Sequence, residues 1–335
     1  MGIDIIGIEN PVVDFNILLD KMPDAGGFGS LKEYSWQGGG NVGSGLVAAA
    51  RLGAKCGIVG VVGDDAYGQF CIDDFKRHNI DTSHLLKDAG NKTSFCICLA
   101  ELCTMGRSFI IKPGTDRQPT NNELDKKYIS TAKYLHLGAM GPQVQAAIWA
   151  KEMGITVVDD AGHYNTDTEA HIDLIDVFVG SEHYYKGLFK DNNYEINCRA
   201  ILKRGPKIVV FTLGAKGCVG LNNDGEFFAI PAYKGLPIVD TTGAGDVFHG
   251  AFIFGLMQGW DVKKTSQFSS AVSAIKCTRL GGRAAIPDYI TVQKFMKTGN
   301  IDYTEIDNRV EYYREGILHI QQRGLFPKVA RTPIS

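Results

Sequence analysis

The sequence predicts an α/β fold, with a doubly wound, mostly parallel sheet, helices on both of its faces, and a small β-sheet lid. Short apolar runs alternate with helical patterns along most of the 335 residues, which is typical of repeated β-α-β units. Two stretches break that alternation and leave no room for a crossover helix. Glycines, 40 in all, are concentrated in short runs and exceed the usual share of about 7%.

The predicted elements of the core follow one another along the chain. Strands are predicted where short runs are rich in Val, Ile and Leu, and helices where longer runs place apolar residues on one side. The predicted core strands are Ile3–Ile8, Lys55–Val62, Tyr134–Leu137, Ile155–Val158, Val177–Val179 and Ile208–Thr212. The predicted core helices are Asn41–Leu52, Asp65–Asn79, Gln143–Met153, Asp246–Gln258 and Thr265–Cys277.

The two exceptional stretches predict the lid. In Val12–Trp36, alternating apolar residues lead through a Pro/Gly turn into a second strand-like run, and in Thr93–Lys112 two such runs flank Met105-Gly106. Each stretch predicts an antiparallel hairpin. We predict a core of residues 1–10, 38–91 and 119–300, a lid of residues 11–37 and 92–118, and a partly helical C-terminal extension of residues 301–335.

Composition and charge exclude several classes of protein. The chain has 35 basic and 37 acidic residues and a formal net charge of −2, without the basic excess that nucleic-acid binders show. Its first ten residues lack the basic start of a signal peptide, and no apolar run is long enough to cross a bilayer. We therefore expect a cytoplasmic protein that binds neither nucleic acid nor membrane.

Eight cysteines are scattered along the chain, and Cys96, Cys98 and Cys103 come closest to forming a cluster. Histidine or cysteine partners at zinc spacing are missing from the second half of the sequence. We therefore interpret these three as reduced cysteines on a strand of alternating residues rather than as a metal site.

The most informative segment is Val239–Gly250, where a strand-like stretch leads through Gly243-Ala244-Gly245 into an apolar helix that starts with Asp246. The first N–H groups of a helix lack intrahelical partners and, together with the helix dipole, bind anions. Such donors stabilise a phosphoryl group in transfer. A carboxylate at this place is explained if it takes the proton of an attacking hydroxyl. The alternative is a glycine-rich turn in which Asp246 caps its helix.

A second glycine cluster, Gly38–Gly40 followed by Asn41, precedes the first predicted helix. Glycines here could admit a polyol close to backbone N–H groups, and Asn41 could bind hydroxyls through its amide. A phosphate cradle and close helix packing are the alternatives. The cluster is neither a Walker A loop nor a dinucleotide fingerprint, because it lacks Gly-Lys-Ser/Thr and an acidic residue at the required spacing.

Both clusters resemble the two sequence signatures of the PfkB family, the ribokinase-like carbohydrate kinases. Two further segments resemble the family's turn near the nucleotide and its loop beside the adenine, and all four stand in family order. The resemblance therefore implies a ribokinase-like fold for the core and lid. The matching segments are Gly38–Gly53, Thr212–Gly217, Asp240–Asp246 and Ala271–Pro287, within a resemblance that covers roughly Ile3 to Asp288.

The resemblance implies that ATP, with Mg²⁺, donates its γ-phosphoryl group to a hydroxyl of a sugar or nucleoside. Asp246 matches the catalytic base, and the amides of Gly243, Ala244 and Gly245 match the anion hole. Residues that match the substrate site are Asp14, Gly39, Gly40, Asn41 and Ser44. Residues that match the nucleotide site are Ser181, Thr212, Gly214, Gly217 and Gly282. Asp240 and Thr242 match positions that place a monovalent cation, K⁺, near the anion hole in some members.

Two departures from the family pattern leave details open. Many members carry Asn and, three residues later, Glu after the strand at Val177–Val179, where the pair organises Mg²⁺ through water. Ser181 and Tyr184 stand at those positions here, and Glu182 is the nearby carboxylate that could replace the pair as a metal ligand. Ser44 stands where sugar kinases of the family often have Asn, which leaves the sugar open.

Other polar residues near the predicted site have two interpretations each. Arg107, Lys112 and Arg117 lie on or just after the second lid hairpin, where they solvate the lid surface or bind an anionic group of the substrate. His249 follows Asp246 by one helical turn. For His249 we favour a packed or solvated helix histidine over a residue that faces the site.

The predicted function is an ATP-dependent sugar kinase, with a ketose or pentose favoured as the acceptor. Nucleosides and phosphorylated sugars are alternative acceptors, and the altered Ser181–Tyr184 segment leaves a non-catalytic, ligand-sensing relative as a distant alternative. The predicted lid strands carry apolar residues on both faces. The lid therefore closes over the substrate or pairs with the lid of a second subunit in a homodimer.

Overall fold

The computed structural model describes residues 2–115, 117–138 and 140–321. The described residues form a nine-stranded sheet and a separate four-stranded sheet. The strands are β1 (Ile5–Ile8), β2 (Val12–Leu19), β3 (Leu31–Gly39), β4 (Cys56–Gly63), β5 (Asp81–Asp88), β6 (Ser94–Glu101), β7 (Arg107–Lys112), β8 (Tyr134–Leu137), β9 (Thr156–Ala161), β10 (Val177–Ser181), β11 (Ile208–Thr212), β12 (Cys218–Leu221) and β13 (Phe227–Ile230).

Helices of one to four turns connect most of the strands of the large sheet. No helix in the described ranges has both the length and the apolar character needed to cross a membrane. The helices are α1 (Asn41–Leu52), α2 (Ala66–Arg77), α3 (Lys126–Ile129), α4 (Met140–Glu152), α5 (Thr166–Ala170), α6 (Glu182–Leu188), α7 (Tyr194–Leu202), α8 (Ala244–Met257), α9 (Val262–Lys276), α10 (Tyr289–Thr298), α11 (Thr304–Arg314) and α12 (Gly316–Gln321).

The large sheet has the order β13-β12-β11-β10-β9-β8-β1-β4-β5. Its seven strands from β11 to β5 are parallel, and β12 and β13 extend it as an antiparallel edge. One buried apolar cluster includes residues of α1, α2, α8 and α9, and a second includes residues of α4, α6 and α7. The two clusters lie on opposite faces of the sheet, which confirms the predicted doubly wound α/β architecture.

The observed elements differ from the predicted ones at their ends, at the sheet edges and in five helices of the core that the sequence did not predict, α3, α5, α6, α7 and α10. The first strand begins at Ile5 rather than Ile3, and the helix that carries Asp246 begins at Ala244. The sequence did not predict β5, β12 or β13. These strands lie at or next to the edges of the sheet. Polar residues make up most of β5, and β12 and β13 are apolar but only four residues long, so none of the three gives a clear strand pattern.

The lid is the four-stranded sheet, in the order β3-β2-β6-β7. Its two antiparallel hairpins, β2–β3 and β6–β7, are joined through the parallel pair β2–β6, which confirms both predicted hairpins. One face packs aromatic rings against α2: the ring centroids of Phe15 and Trp36 are 4.3 Å apart, and those of Phe95 and Tyr67 are 5.5 Å apart. Because side chains alternate along a strand, Asp14 lies on the opposite face, which covers the carboxyl ends of the core strands.

The C-terminal extension packs against the core and the lid as far as residue 321, and residues 322–335 of the predicted extension lie outside the described ranges. On α11, the Arg309 guanidinium donates hydrogen bonds to the carbonyls of Ala284 and Ile286, at 2.8 and 2.6 Å. The Tyr313 hydroxyl donates to Asp74 Oδ1 at 2.6 Å. The extension therefore braces the loop that follows α9, a role that the sequence left open.

We predict that the edge strand β7 mediates a homodimer. Phe109, Ile110 and Ile111 are 49%, 58% and 62% exposed, and an exposed apolar edge strand readily pairs with a second chain. Light scattering at micromolar concentration should give a dimer for the wild type and a monomer for Ile110→Lys. The matched control is Ile196→Lys on α7, whose isoleucine is 66% exposed and whose replacement should leave the dimer intact. A monomeric wild type would rule the dimer out.

Candidate active site

The candidate site lies under the lid, at the carboxyl ends of the central parallel strands. Glu9 directly follows β1, Asp160 is near the end of β9, and Ser181 ends β10. The first turns of α1 and α8 reach the same edge of the sheet, and these two helices pack against each other. Open α/β sheets bind their ligands at this edge, close to the strand where the order reverses, which here is β1.

The predicted anion hole is the first turn of α8 and the residue before it. Gly243 is the N-cap residue and has φ 73°, a left-handed conformation that favours glycine. The amide of Ala244 donates to the carbonyl of Thr241 at 3.2 Å, so it is already engaged. Gly245 is exposed, and its position in the first turn leaves its amide without an intrahelical acceptor. Gly245 is therefore the donor most open to an anionic ligand.

Asp246 is the third residue of α8 and is half-buried. No side chain caps this helix, so the alternative of a capping Asp246 is not what the structure shows. Burial, and secondly the charge of Asp160, raise the pKa of Asp246 to about 7, while Arg107 and Lys276 act in the opposite direction. A general base works best when its pKa is near the operating pH. Asp246 is therefore poised to take a proton at neutral pH.

Asp14 and the glycine cluster form the opposite wall of the site. Asp14 is 9% exposed, and burial raises its pKa to about 7. A Cβ at Gly39 would lie 2.3 Å from Asp14 Oδ2, and one at Gly40, which has φ 97°, would lie 2.3 Å from Glu9 Oε2. Only glycine leaves room for the two carboxyl groups. Asn41 is exposed at the start of α1 and can offer its amide to a ligand.

Glu9 is a site residue that the sequence reasoning missed. Its carboxylate accepts hydrogen bonds from the amides of Asn41 and Gly43, at 2.9 and 2.8 Å, and so caps α1 from the neighbouring strand. Burial raises the pKa of Glu9 to about 7. The available signal was an acidic residue placed directly after the buried strand β1.

Ser44 does not face the open part of the site. It is 2% exposed, and its Oγ accepts from Nε of Arg283 at 3.3 Å. Arg283 is fully buried, pairs with Asp74 at 2.7 Å, and donates to the carbonyl of Gly39 at 2.6 Å. Ser44 therefore supports the glycine loop through Arg283, in place of the substrate contact that the sequence predicts. Sequence reasoning noted the loop that contains Arg283 but not this bridge.

Arg107 joins the lid to the turn that precedes α8. One guanidinium nitrogen donates to Thr241 Oγ1 at 2.8 Å. Arg107 pairs with Ala100, on the strand face shared with Asp14, whereas Lys112 pairs with Phe95 on the other face. Arg107 is therefore directed to the site, and Lys112 is not.

Arg117 and the three cysteines of the lid segment are the remaining residues that the sequence singled out there. Arg117 forms ion pairs with Asp88 and Glu123, so these carboxylates neutralise its charge. Cys96 and Cys98 lie on one face of β6, with their sulfur atoms 3.6 Å apart, and form a cluster with Asp14. Cys103 lies beyond the end of β6 and is exposed.

The predicted nucleotide residues fall into two groups. Ser181 and Thr212 are paired across β10 and β11. Gly214 and Gly217 lie in the turn after β11, and a Cβ at Gly217 would lie 1.9 Å from the carbonyl of Ile230. Gly282 forms the second group and lies against Gly243. A Cβ added at Gly243 would lie 3.0 Å from the Cα of Gly282. The structure thus places Gly282 beside Gly243 of the predicted anion hole.

Glu182, the predicted metal ligand, forms ion pairs with two lysines. One of its carboxylate oxygens is 2.9 Å from the ammonium groups of both Lys186 and Lys216. Hydrogen bonds from these two lysines lower the pKa of Glu182. Both ion pairs involve the same oxygen and lysines that are mostly exposed, and such surface pairs are weak. The role of Glu182 as a metal ligand therefore stays a prediction.

His249 is packed in the core, as we favoured from the sequence, and is 3% exposed. Its Nε2 lies 3.3 Å from Asp160 Oδ1, and the ring centroid of His136 is 5.8 Å from its own. Burial lowers the pKa of each histidine to about 3, so both rings are neutral. Burial raises the pKa of Asp160 to about 7.

The predicted monovalent cation site already contains a positive charge. The carbonyls of Asp240 and Thr242 both accept hydrogen bonds from Nζ of Lys276, which is fully buried. Both carboxylate oxygens of Asp240 are also engaged, by the amides of Thr242 and Gly281, each at 2.8 Å. The residues present therefore do not fit a K⁺ ion at this place.

Comparisons with known proteins show which proteins this chain is similar to. The model of the pfkB family carbohydrate kinases matches residues 12–288. A 5-dehydro-2-deoxygluconokinase of Clostridium perfringens is 28% identical over 328 residues, which cover 90% of this chain and 95% of that protein. The structure of ribokinase from Thermotoga maritima has a TM-score of 0.74 and 26% identity, and covers 88% of this chain and 100% of its own. The structure of Arabidopsis thaliana ribokinase, complexed with ribose and ATP, has a TM-score of 0.74 and 21% identity. The match covers 89% of this chain and 99% of that one.

We predict that Asp159 makes the protein less stable as the pH rises. Asp159 is 1% exposed, and burial, and secondly Asp160, raise its pKa from 3.8 to about 8. A raised pKa favours the folded state at low pH, and this stabilisation is lost as the pH rises from about 4 to about 8. In urea denaturation, Asp159→Asn should gain free energy of unfolding over the wild type as the pH increases. The gain is at most about 1.4 kcal/mol per pH unit.

The control for this prediction is Asp173→Asn, which changes an exposed aspartate. Its difference from the wild type should stay constant between pH 5.5 and 8.5. A constant difference for Asp159→Asn over the same range would refute the predicted effect of burial.

Proposed function

Because the chain belongs to the PfkB family of carbohydrate kinases, it is a phosphotransferase with a hydroxyl acceptor, and we propose that it transfers the γ-phosphoryl group of ATP to a sugar. The observation that carries this proposal is the carboxyl of Asp246, half-buried in the first turn of α8 beside the exposed amide of Gly245. A base and an anion donor at one helix start are what transfer to a hydroxyl requires.

In the proposed reaction, Asp14 and Asn41 bind hydroxyls of the sugar, one from the lid and one from the start of α1. Asp246 accepts the proton of the attacking hydroxyl oxygen as that oxygen bonds to phosphorus. The Gly243–Asp246 backbone forms the anion hole, in which the helix dipole and the amide of Gly245 stabilise the charge on the equatorial oxygens. Arg107 joins the lid to this turn and helps to exclude water.

ATP is proposed as the donor, and the Arabidopsis ribokinase solved with ribose and ATP supports this choice. Ser181, Thr212, Gly214 and Gly217 are proposed to line the nucleotide site, with Gly282 close to the transferred group. Mg²⁺ is proposed to enter bound to the phosphates of ATP, because Mg²⁺ usually keeps several waters and few protein ligands. Such an ion reduces the negative charge of the phosphates.

A neutral ketose or pentose is the favoured acceptor. Four carboxyl groups, those of Glu9, Asp14, Asp160 and Asp246, surround the site and suit a partner with hydroxyls and no negative charge. Arg107 favours a second candidate, a sugar acid such as the 5-dehydro-2-deoxygluconate of the relatives' name, because its guanidinium could bind a carboxylate. Nucleosides and phosphorylated sugars are alternative acceptors in the same tests.

We predict that Asp246→Asn lowers the rate of phosphoryl transfer by about 10²–10⁴-fold. The amide keeps the size of the side chain but cannot take the proton. ADP formation should be measured with Mg-ATP and the best acceptor, and the Kd of ATP should be measured by calorimetry to show that binding persists. Asp224→Asn, in an exposed turn, is the control and should match the wild type. Undiminished transfer in Asp246→Asn would refute the mechanism, and wild-type ATP binding without transfer to any acceptor would favour the ligand-sensing alternative.

We predict that Arg107→Met separates the two candidate acceptors. If the acceptor is a neutral sugar, the KM of the best ketose or pentose in a substrate panel should change by less than about threefold. If the acceptor is a sugar acid, the loss of a charge-assisted hydrogen bond should raise its KM by about 10-fold or more. Lys112→Met, on the opposite lid face, is the matched control for both acceptors. Turnover of nucleosides alone would contradict both candidates.

A further inference from the structure

We propose that the ammonium group of Lys276 is a tethered cation that takes the place of a free monovalent cation beside the anion hole. The kinase would then work without K⁺. The catalytic part of this inference rests on the proposed function, but the occupation of the cation position does not.

Lys276 is the last residue of α9 and reaches the turn that precedes α8. Its Nζ donates to the carbonyl of Asp240 at 3.0 Å and to the carbonyl of Thr242. Two backbone carbonyls that converge on one positive group are the ligand type of an alkali cation. Asp240 and Thr242 are also the two residues for which the family resemblance implied a monovalent cation. A lysine ammonium has the same charge and is compact, with three donors.

The contact is sealed from solvent. Lys276 is fully buried, Asp240 is 4% exposed and Thr242 is 7% exposed. Buried carbonyls without a partner are costly, and Lys276 satisfies both. The carboxylate of Asp240, which would otherwise help to bind an ion, accepts from the amides of Thr242 and Gly281. A free cation therefore has neither vacant ligands nor an open route to them.

The position of the ammonium links it to the reaction. Thr242 directly precedes Gly243, whose left-handed conformation turns the chain into α8. Holding the carbonyls of residues 240 and 242 directs the next amides of the turn towards the opposite side, where the anion hole lies. The positive charge also opposes the rise in the pKa of Asp246 caused by burial. Lys276 is accordingly a positioning residue: it acts through the turn and through Asp246.

The first test uses the wild-type enzyme. ADP formation and the melting temperature should be measured in KCl, NaCl and tetramethylammonium chloride at equal ionic strength. We expect rates that agree within about twofold and equal melting temperatures in the three salts. A rate or a melting temperature that rises with K⁺ concentration and then saturates would overturn the proposal.

The second test removes the tether. Lys276→Ser leaves a small polar cavity at the two carbonyls, and Lys263→Ser changes an exposed lysine of the same helix as the matched control. Without K⁺, we expect Lys276→Ser to lose roughly 10²-fold in rate, the scale of a lost anion-hole donor. Adding K⁺ or Rb⁺ should restore part of the rate and raise the melting temperature, whereas the control should respond to neither ion.

A third measurement needs no catalytic activity and keeps this inference separate from the proposed function. Crystals soaked in thallium(I) should show an anomalous peak beside the carbonyls of Asp240 and Thr242 in Lys276→Ser and no peak there in the wild type. A peak there in the wild type would overturn the proposal even if no acceptor is ever phosphorylated. If Lys276→Ser folds only with K⁺ present, that result supports the proposal. If it does not fold in any salt, the wild-type salt series and soak still decide between the two outcomes.

Discussion

The arrangement of the site depends on one buried positive charge, the guanidinium of Arg283. It pairs with Asp74, donates to the carbonyl of Gly39, and lies 4.7 Å over the ring of Phe75. An ion pair removed from water is stable only if its geometry is good and its remaining donors are satisfied. The glycine loop, α2 and the loop after α9 must therefore assemble together around this residue. The wall that Asp14 and Gly39 form is fixed by that requirement.

A second constraint is the balance of charge around the helix start at Gly243. Four buried or half-buried carboxyl groups with raised pKa values stand near a site that would receive a phosphate. Arg107 approaches from the lid and Lys276 from the core. These two cations reach the same turn from opposite sides. The lid is consequently part of the electrostatic environment of Asp246 as well as a cover.

The sequence predicted the fold and the identity of the central segments well, because both depend on local patterns. Short apolar runs marked the core strands, alternating apolar residues marked the lid hairpins, and glycines before a helix marked the turn at Asp246. Glu9, Arg283 and Lys276 were missed because they act across long distances in the chain. Arg283 and Gly39 are 244 positions apart. Ser44 and Glu182 were given roles by position alone, and their actual partners, Arg283 and two lysines, are not visible in the sequence.

The contacts of α11 have a consequence for the synthesis of the protein. Arg309 braces the loop after α9, and Tyr313 completes the hydrogen bonds of Asp74. A growing chain presents its N-terminal part first, so the ribosome has made Asp14, Asp246 and the whole parallel sheet before these two residues exist. The nascent chain therefore contains every predicted catalytic group while the ion pair of Arg283 and Asp74 still lacks its hydrogen bond from Tyr313. The final shape of the glycine loop is therefore set only after Tyr313 has been made and has docked on Asp74.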